Sequence, residues 1–273
     1  MHNERASDSK LQVALGLLAA NKWNEALVAF EQIRLLAGDP YKEGVILLNE
    51  ARCLEYLGNF SEANQRLKAA RNHLQQIKSI DQLESFSIFL EIAEIIFEFS
   101  EGKHYQGIEH ARRFLLKYQN ELMRPEFEDA RHDLNLSIAY ELVSAGKFAE
   151  GVNALEELLP QATDEDQPRI FLFLGIAHEQ LGDLDKALEN FKSVLQFPSV
   201  EDTVAQAHYR LGALYWRKGV VAWAKQHFLA AESLKHVLSD IPVSDLYTFL
   251  ANVCGYLGEE EERDKYLELA KTH

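Results

Sequence analysis

The stretch LGIAHEQLGDLDKALENF (174–191) contains two patterns, and the choice between them determines the predicted fold. One is H-E-Q-L-G, which begins like the zinc-protease signature H-E-x-x-H. The other is a spacing in which Gly175 is followed by Gly182, Ala187 and Phe191. A zinc site needs two histidines one helical turn apart and a third ligand, and Gly182 stands where the second histidine would be. We therefore predict that His178 packs between helices.

The same spacing recurs along the chain. Related turn motifs are NKWNEAL (21–27), GNFSEAN (58–64), GKHYQGI (102–108), GKFAEGV (146–152), GVVAWAK (219–225) and GEEEERD (258–264). An apolar segment of helical period precedes each turn, and six of these segments have a small residue in the middle: Ala14, Ala51, Ala139, Gly175, Gly212 and Ala251. The repeating unit is predicted to be two amphipathic helices joined by a turn in which glycine adopts a positive φ.

This pattern resembles the tetratricopeptide repeat family, which has Leu-Gly and an aromatic residue in its first helix and Ala and Phe in its second. The resemblance is strongest in LGIAHEQLGDLDKALENFKSV (174–194) and YRLGALYWRKGVVAWAKQHFLAA (209–231), and it covers nearly the whole chain. It implies an all-α, right-handed α-solenoid of about seven helix-turn-helix repeats in one domain spanning residues 1–273. The units start near residues 7, 44, 88, 132, 168, 205 and 244. This spacing exceeds the usual 34 residues, so longer helices or loops are expected.

Composition narrows the classes of function. The formal net charge of −15 argues against a nucleic-acid-binding protein, because affinity for phosphates comes mainly from basic residues. The two cysteines, Cys53 and Cys254, fall in first helices of separate repeats and are predicted to be small buried residues in a reducing, cytoplasmic protein. No apolar run reaches the roughly 18 residues of a membrane span. The run LQVALGLLAA (11–20) resembles a short signal-peptide core, but we predict that it forms the first helix of the first repeat.

Catalytic and metal-binding patterns are missing from the sequence. It contains no P-loop, no dinucleotide-binding glycine pattern and no G-x-S-x-G motif. The histidine pairs His104 and His110, and His227 and His236, do not have metal-ligand spacing. We therefore expect a non-enzymatic protein without a metal or another cofactor.

In stacked helix pairs of this family, the first helices line a concave surface. Positions near 2, 5, 9 and 12 of the fourth to seventh units, together with two arginines that can reach the same groove, predict a peptide-binding site. These residues are Leu136, Tyr140, Arg169, Leu172, Ile176, Glu179, Tyr209, Arg210, Trp216, Thr248 and Asn252. The expected ligand is an extended or helical apolar peptide, with Tyr209 and Trp216 as anchors. The alternative is that these residues pack between repeats and never contact a ligand.

The resulting hypothesis is a scaffold or adaptor that binds a protein or peptide, with no nucleic-acid or membrane partner. A sensor of a small signalling peptide or molecule, or an assembly or secretion accessory factor, is the alternative. Clamping of a peptide C-terminus by Lys and Asn, known in the family, is not expected, because only Asn49 fits that pattern. The third repeat, SFSIFLEIAEIIFEFS (85–100), is apolar on nearly every face, so we expect it to be buried on both sides or to form a homo-oligomer contact.

A last feature is a group of basic residues in the second helices of the second and third units. They could form a basic patch for an acidic partner or simply a solvated face. The residues are Arg66, Lys68, Arg71, Arg112, Arg113 and Lys117.

Overall fold

The computed structural model describes residues 2–34, 38–198, 200–238 and 241–272, which form fourteen α-helices and no β-strand. The helices make seven consecutive pairs, so the predicted all-α fold of helix-turn-helix repeats is confirmed. They are α1 (His2–Ala19), α2 (Trp23–Arg34), α3 (Pro40–Tyr56), α4 (Phe60–His73), α5 (Ile80–Ser100), α6 (His104–Lys117), α7 (Glu128–Ser144), α8 (Phe148–Leu158), α9 (Gln167–Leu181), α10 (Leu184–Val194), α11 (Glu201–Arg217), α12 (Val221–Ser233), α13 (Val243–Leu257) and α14 (Glu260–Thr272).

The chain divides into two compact units, Met1–Ile138 and Ala139–His273. Helices α1 to α6 belong to the first unit and α8 to α14 to the second, while α7 begins in the first and ends in the second. The single solenoid domain expected over residues 1–273 stays a prediction, and each unit is described by itself.

The turn glycines adopt the predicted left-handed conformation. Gly182 has φ 85°, its N–H donates to the carbonyl of Glu179, and the next N–H, of Asp183, donates to the carbonyl of His178. A side chain in this conformation costs roughly 1–2 kcal/mol, so glycine ends the helix where a zinc-binding histidine would have to continue it. Positive φ angles also occur at Gly58, Gly102, Gly146, Gly219 and Gly258, and at Asn21 in the first repeat.

The small residue in the middle of a first helix permits close approach of the second helix, as predicted. A Cβ atom on Gly175 would lie 2.5 Å from Cε1 of Phe191 on α10, and one on Gly212 would lie 2.7 Å from Cδ1 of Phe228 on α12. Both phenylalanines are fully buried. Each ring therefore rests directly on the backbone of the facing helix. His178 is also buried, as expected for a packing residue.

Several first helices begin earlier than the sequence pattern indicated. The third begins at Ile80, eight residues before the predicted start near residue 88, and α5 extends over 21 residues. Its start is set by Ser79, whose hydroxyl accepts the backbone N–H of Gln82 at 3.5 Å. The long α5 and long connections, such as residues 118–127 between α6 and α7, account for the repeat spacing above 34 residues.

In the first unit, the apolar run at residues 11–20 belongs to a helix pair. Ala14 and Leu18 on α1 form a buried cluster with Ala26, Phe30 and Ile33 on α2. The run therefore supplies one half of the core of the first repeat. This packing agrees with the prediction that residues 11–20 belong to the first helix of the first repeat.

Helix α5 is covered along nearly its whole length. Every residue from Leu83 to Phe99 is buried or half-buried, and α5 packs against α3, α4 and α6. The prediction that this helix is buried on both sides is confirmed. Its large exposed apolar side chain is Ile80, at the helix start. The apolar residues that motivated a homo-oligomer contact are therefore used within the first unit.

A buried ion-pair network connects α2, α3 and α4. Glu50 on α3 is fully buried; its Oε1 accepts from Nε of Arg34 at 2.8 Å, and its Oε2 lies 2.7 Å from Nε of Arg66. Arg66 also pairs with Glu31 at 3.1 Å. Burial raises the pKa of Glu50, although both guanidinium groups oppose this shift. The two arginines thus offset part of the cost of removing this carboxylate from water.

The basic residues of the second and third repeats are mostly paired with acids. Four of the six form ion pairs. Arg66 pairs with Glu31 and Glu50, Arg71 with Glu94, Arg112 with Glu109, and Lys117 with Glu91. These contacts favour the interpretation as a solvated face over a basic patch for an acidic partner.

In the second unit, one apolar core runs from α9 to α14, and a histidine pair lies at its α11–α12 contact. Nδ1 of His208 is 2.9 Å from Nδ1 of His227, and the ring of His227 stacks on Tyr215. Burial lowers the pKa of His208, and burial together with His208 and Lys192 lowers the pKa of His227 to about 4. The pair is therefore neutral at pH 7.

This pair predicts a loss of stability on acidification. Because the pKa of His227 is about 4 when folded and roughly 6.5 when unfolded, the unfolded chain takes up the proton first. The free energy of unfolding should be unaffected by this group above pH 6.5 and fall by about 2–3 kcal/mol between pH 6.5 and 4. Urea denaturation at several pH values in this range measures the free energy of unfolding. In His227→Gln, the slope of this free energy against pH should be smaller. An equally steep slope in His227→Gln would show that other groups cause the loss.

Both cysteines are buried and unpaired, as predicted. Burial raises the pKa of each thiol to about 11, so both are protonated at pH 7. They pack as small apolar residues and are poor nucleophiles.

Candidate functional site

The second unit contains a cleft of about 520 Å³ between the first helices of successive repeats. Its walls come from the end of α7, the start of α8, and the helices α9 and α11. Helices α9 and α11 run in the same direction because each is antiparallel to α10. Both α9 and α11 line the cleft over much of their length. The lining residues are Val143, Ser144, Phe148, Arg169, Leu172, Phe173, Ile176, Gln180, Asp202, Thr203, Gln206 and Arg210.

At one end of the cleft, Arg169 lies on a surface of aromatic rings. Its guanidinium carbon is 4.7 Å from the ring centroid of Tyr140 and 5.9 Å from that of Phe173, and these two rings are 4.6 Å apart. Burial raises the pKa of Tyr140 to about 12, so its ring remains a neutral phenol. Arg169 itself is exposed and forms no ion pair with any residue that the structure describes. Its N–H donors are therefore available to a ligand.

Further along the cleft, Glu179 is shared between two arginines of α11. Its Oε1 accepts from Nη1 of Arg217 at 3.0 Å, and its Oε2 lies 3.6 Å from Nη1 of Arg210. The second distance is too long for a hydrogen bond. Within the described ranges, Oε2 of Glu179 and Nε of Arg210 are buried without a hydrogen-bond partner. Arg210 is thus only partly neutralised.

The opposite wall carries one negative charge. Asp202 lies in the first turn of α11, and its Oδ1 accepts from the hydroxyl of Thr203 at 3.3 Å. A carboxylate in the first turn of a helix is stabilised by the partial positive charge of the helix N-terminus. The lining therefore combines an apolar floor of Leu172 and Ile176 with a rim that holds both signs of charge.

The predicted site residues fall into three groups. Arg169, Leu172, Ile176 and Arg210 line the cleft. Tyr140 and Glu179 support two of these residues, Arg169 and Arg210, by direct contact. The others lie outside the lining of the cleft: Leu136 is buried on the first-unit part of α7, Tyr209 packs edge-on against Phe228 and Phe249, Trp216 packs against Tyr256, and Thr248 and Asn252 are exposed on α13.

Sequence reasoning missed part of the lining. Phe148 begins a second helix, whereas its place in the motif GKFAEGV (146–152) indicates a turn. Asp202 and Thr203 precede the predicted start of their repeat near residue 205. An earlier start could have been inferred from the adjacent acids Glu201 and Asp202, because acids are enriched in the first turn of a helix. Phe173 lies next to a predicted position but points to the same side as Arg169.

Among the described residues, no group of three or more His, Cys, Asp or Glu side chains is arranged to hold a metal ion. His227 pairs with His208 rather than with His236, and His236 lies 3.6 Å from Glu201. None of the described helices combines the length and the apolar character that crossing a bilayer requires.

Comparison with solved structures shows what this fold is similar to. The apo form of RapI superposes with a TM-score of 0.72 at 14% identity, covering 98% of this chain and 76% of RapI. The apo form of the quorum sensor NprR from B. thuringiensis gives a TM-score of 0.73 at 16% identity, with coverage of 98% and 76%. NprR in complex with its cognate peptide NprX gives 0.64 at 15% identity, with coverage of 98% and 78%.

Sequence comparison adds a match to one family over part of the chain. A search of curated proteins gives no match. The model of the tetratricopeptide repeat family matches residues 136–200, which contain α8, α9 and α10. Residues 136–200 thus match the tetratricopeptide repeat family, and the chain as a whole shares the helix-pair fold of the solved structures.

Proposed function

We propose that this protein is a non-enzymatic scaffold whose second unit binds a short, extended segment of a partner polypeptide in the α7–α9–α11 cleft. The observation that carries this proposal is the composition of the cleft: an apolar floor formed by α9 and a rim of polar and charged side chains. Ligand sites in proteins commonly combine these two features. The position of the cleft on successive first helices is the one expected from the resemblance.

The dimensions of the cleft suit a short peptide. From Arg169 to Gln180, α9 advances eleven residues, or about 16 Å at 1.5 Å per residue. An extended peptide rises about 3.3 Å per residue, so about five residues span this length. NprR, which shares the fold, has been solved with its cognate peptide NprX, and this supports a peptide as the ligand class.

The same groove would serve a sensor of a small signalling peptide, and the likeness to the quorum sensor NprR favours this second candidate. The two candidates differ in what binding does to the protein. A sensor changes its radius of gyration in solution scattering when the peptide binds, whereas a passive scaffold keeps it.

Filling the cleft with a large neutral side chain is expected to abolish peptide binding. Ser144 is exposed and lines the cleft at the end of α7, so Ser144→Trp occupies ligand space without disturbing the core or the charge. The measurement is fluorescence anisotropy with labelled hexapeptides selected on the wild-type protein. We expect a loss of affinity of at least about tenfold, equal to roughly 1.4 kcal/mol.

The matched control is Asn153→Trp, which adds the same side chain at an exposed position of α8 outside the cleft. It should leave the affinity unchanged. Equal affinities of Ser144→Trp and Asn153→Trp, with both variants folded, would place the peptide elsewhere.

A further inference from the structure

Resting on the proposed function, we propose that the peptide bound in this cleft carries a carboxylate and that Arg169 binds it. Arg169 is the one arginine of the cleft that has no carboxylate within ion-pair distance among the described residues. Arg210 lies 3.6 Å from Glu179, and the neighbouring Arg217 lies 3.0 Å from the same group. A guanidinium group presents its N–H donors as a planar fork that matches a carboxylate in two parallel hydrogen bonds.

The aromatic rings beneath Arg169 prepare it for this contact. The guanidinium group lies over the ring of Tyr140 and beside that of Phe173. Stacking on an aromatic face restricts the side chain while leaving the N–H edge of the guanidinium group unobstructed. Less conformational entropy is then lost when a ligand binds.

The position of Arg169 in its helix also favours an anion. Arg169 is the third residue of α9, where the helix dipole places partial positive charge. A second positive charge at this end of the helix is unfavourable, and the acid nearest to it in the chain, the N-cap residue Asp166, forms no ion pair with Arg169. A ligand carboxylate would satisfy the guanidinium group and interact favourably with the helix terminus.

Asp202 is the acid within the lining of the cleft, and its negative charge opposes such a ligand. It lies in the first turn of α11, at the same end of the cleft as Arg169, since α9 and α11 run in the same direction. The helix N-terminus and the Thr203 hydroxyl already offset part of its charge. The structure therefore predicts opposite effects for the two residues: removing the charge of Arg169 weakens binding, and removing that of Asp202 strengthens it.

The carboxylate can come from the C-terminus of a peptide or from an Asp or Glu side chain, and a peptide library separates these sources. Acetylated, fluorescein-labelled hexapeptides are synthesised with a C-terminal acid or a C-terminal amide, each with and without one Asp or Glu. Anisotropy gives the affinity of each peptide for the wild-type protein. The tightest acidic peptide is then compared with its uncharged amide counterpart.

The wild-type protein is expected to bind the acid about ten- to a hundredfold more tightly than the amide, the range for charge-assisted hydrogen bonds. Arg169→Gln should lose this preference, and Arg169→Lys should retain part of it because it keeps the charge but not the fork. Asp202→Asn should bind the acid more tightly than the wild type. The matched control Arg263→Gln removes an arginine of α14 outside the cleft and should leave the preference intact.

Each outcome decides one question. If peptides bind but the acid and amide bind equally, or if Arg169→Gln keeps the preference, the carboxylate site is overturned while the proposed function stands. If no peptide binds up to millimolar concentration, the proposed function fails and the carboxylate site with it. Circular dichroism and thermal unfolding confirm that the exposed substitutions leave the fold intact.

Discussion

Replacing Phe191 with alanine is expected to lower the free energy of unfolding by about 3–5 kcal/mol. The side chain is fully buried in the core of the second unit, and its ring contacts the backbone of α9 at Gly175. Alanine leaves a cavity that the two helices cannot fill without moving, because the ring holds them apart. Urea denaturation followed by circular dichroism at 222 nm measures the loss.

A double-mutant cycle tests the contact between Phe191 and Gly175 itself. Gly175→Ala places a methyl group 2.5 Å from the ring, so it should destabilise the wild-type protein but not Phe191→Ala, in which the ring is gone. Leu229→Ala, at a position 38% exposed on α12, is the control for removing an apolar side chain and should cost less than about 1 kcal/mol. Additive effects of the two substitutions would contradict the close approach.

Removing both arginines that contact Glu50 is expected to cost about 3–5 kcal/mol at pH 7, because a fully buried carboxylate is left without compensation. The double variant is Arg34→Met with Arg66→Met, which retains most of the packing of the aliphatic side chains. Thermal and urea unfolding measure the loss.

The pH dependence of this variant identifies the cause. Burial already raises the pKa of Glu50, and loss of both guanidinium groups raises it further. When the pKa of a carboxyl is higher in the folded protein than in the unfolded chain, the free energy of unfolding falls as the pH rises between the two values. The double variant should therefore regain stability on acidification. Adding Glu50→Gln to it should restore most of the lost stability at pH 7. A loss that is unchanged by pH and by Glu50→Gln would point to packing instead of charge.

The fold was predictable because each repeat signals its structure locally. A glycine with positive φ ends a first helix wherever the pattern puts it, as at Gly182, and Gly175 accommodates the ring of Phe191. These features depend on backbone geometry within one helix pair. The helix starts were less accurate, because capping by Ser79 extends α5 two turns beyond the region of apolar spacing.

The candidate site was only partly predictable, because a position in a repeat does not fix what a side chain contacts in the next repeat. Ile176 and Arg169 line the cleft, but Tyr209 packs against Phe228 and Phe249 within the core of the second unit. Phe148 reaches the cleft from the start of α8. Such contacts depend on the rotation and offset between neighbouring helices, which a repeat pattern in one sequence does not specify.

The complete coverage of α5 has a consequence for synthesis of the chain on the ribosome. Helices α3 and α4 are made before α5, but α6, which also packs on it, is made afterwards. At about 5–20 residues per second, the 17 residues from Glu101 to Lys117 take roughly one to three seconds. During this interval an apolar side of α5 lacks its partner, so this repeat is open to aggregation and to chaperones while α6 is being made.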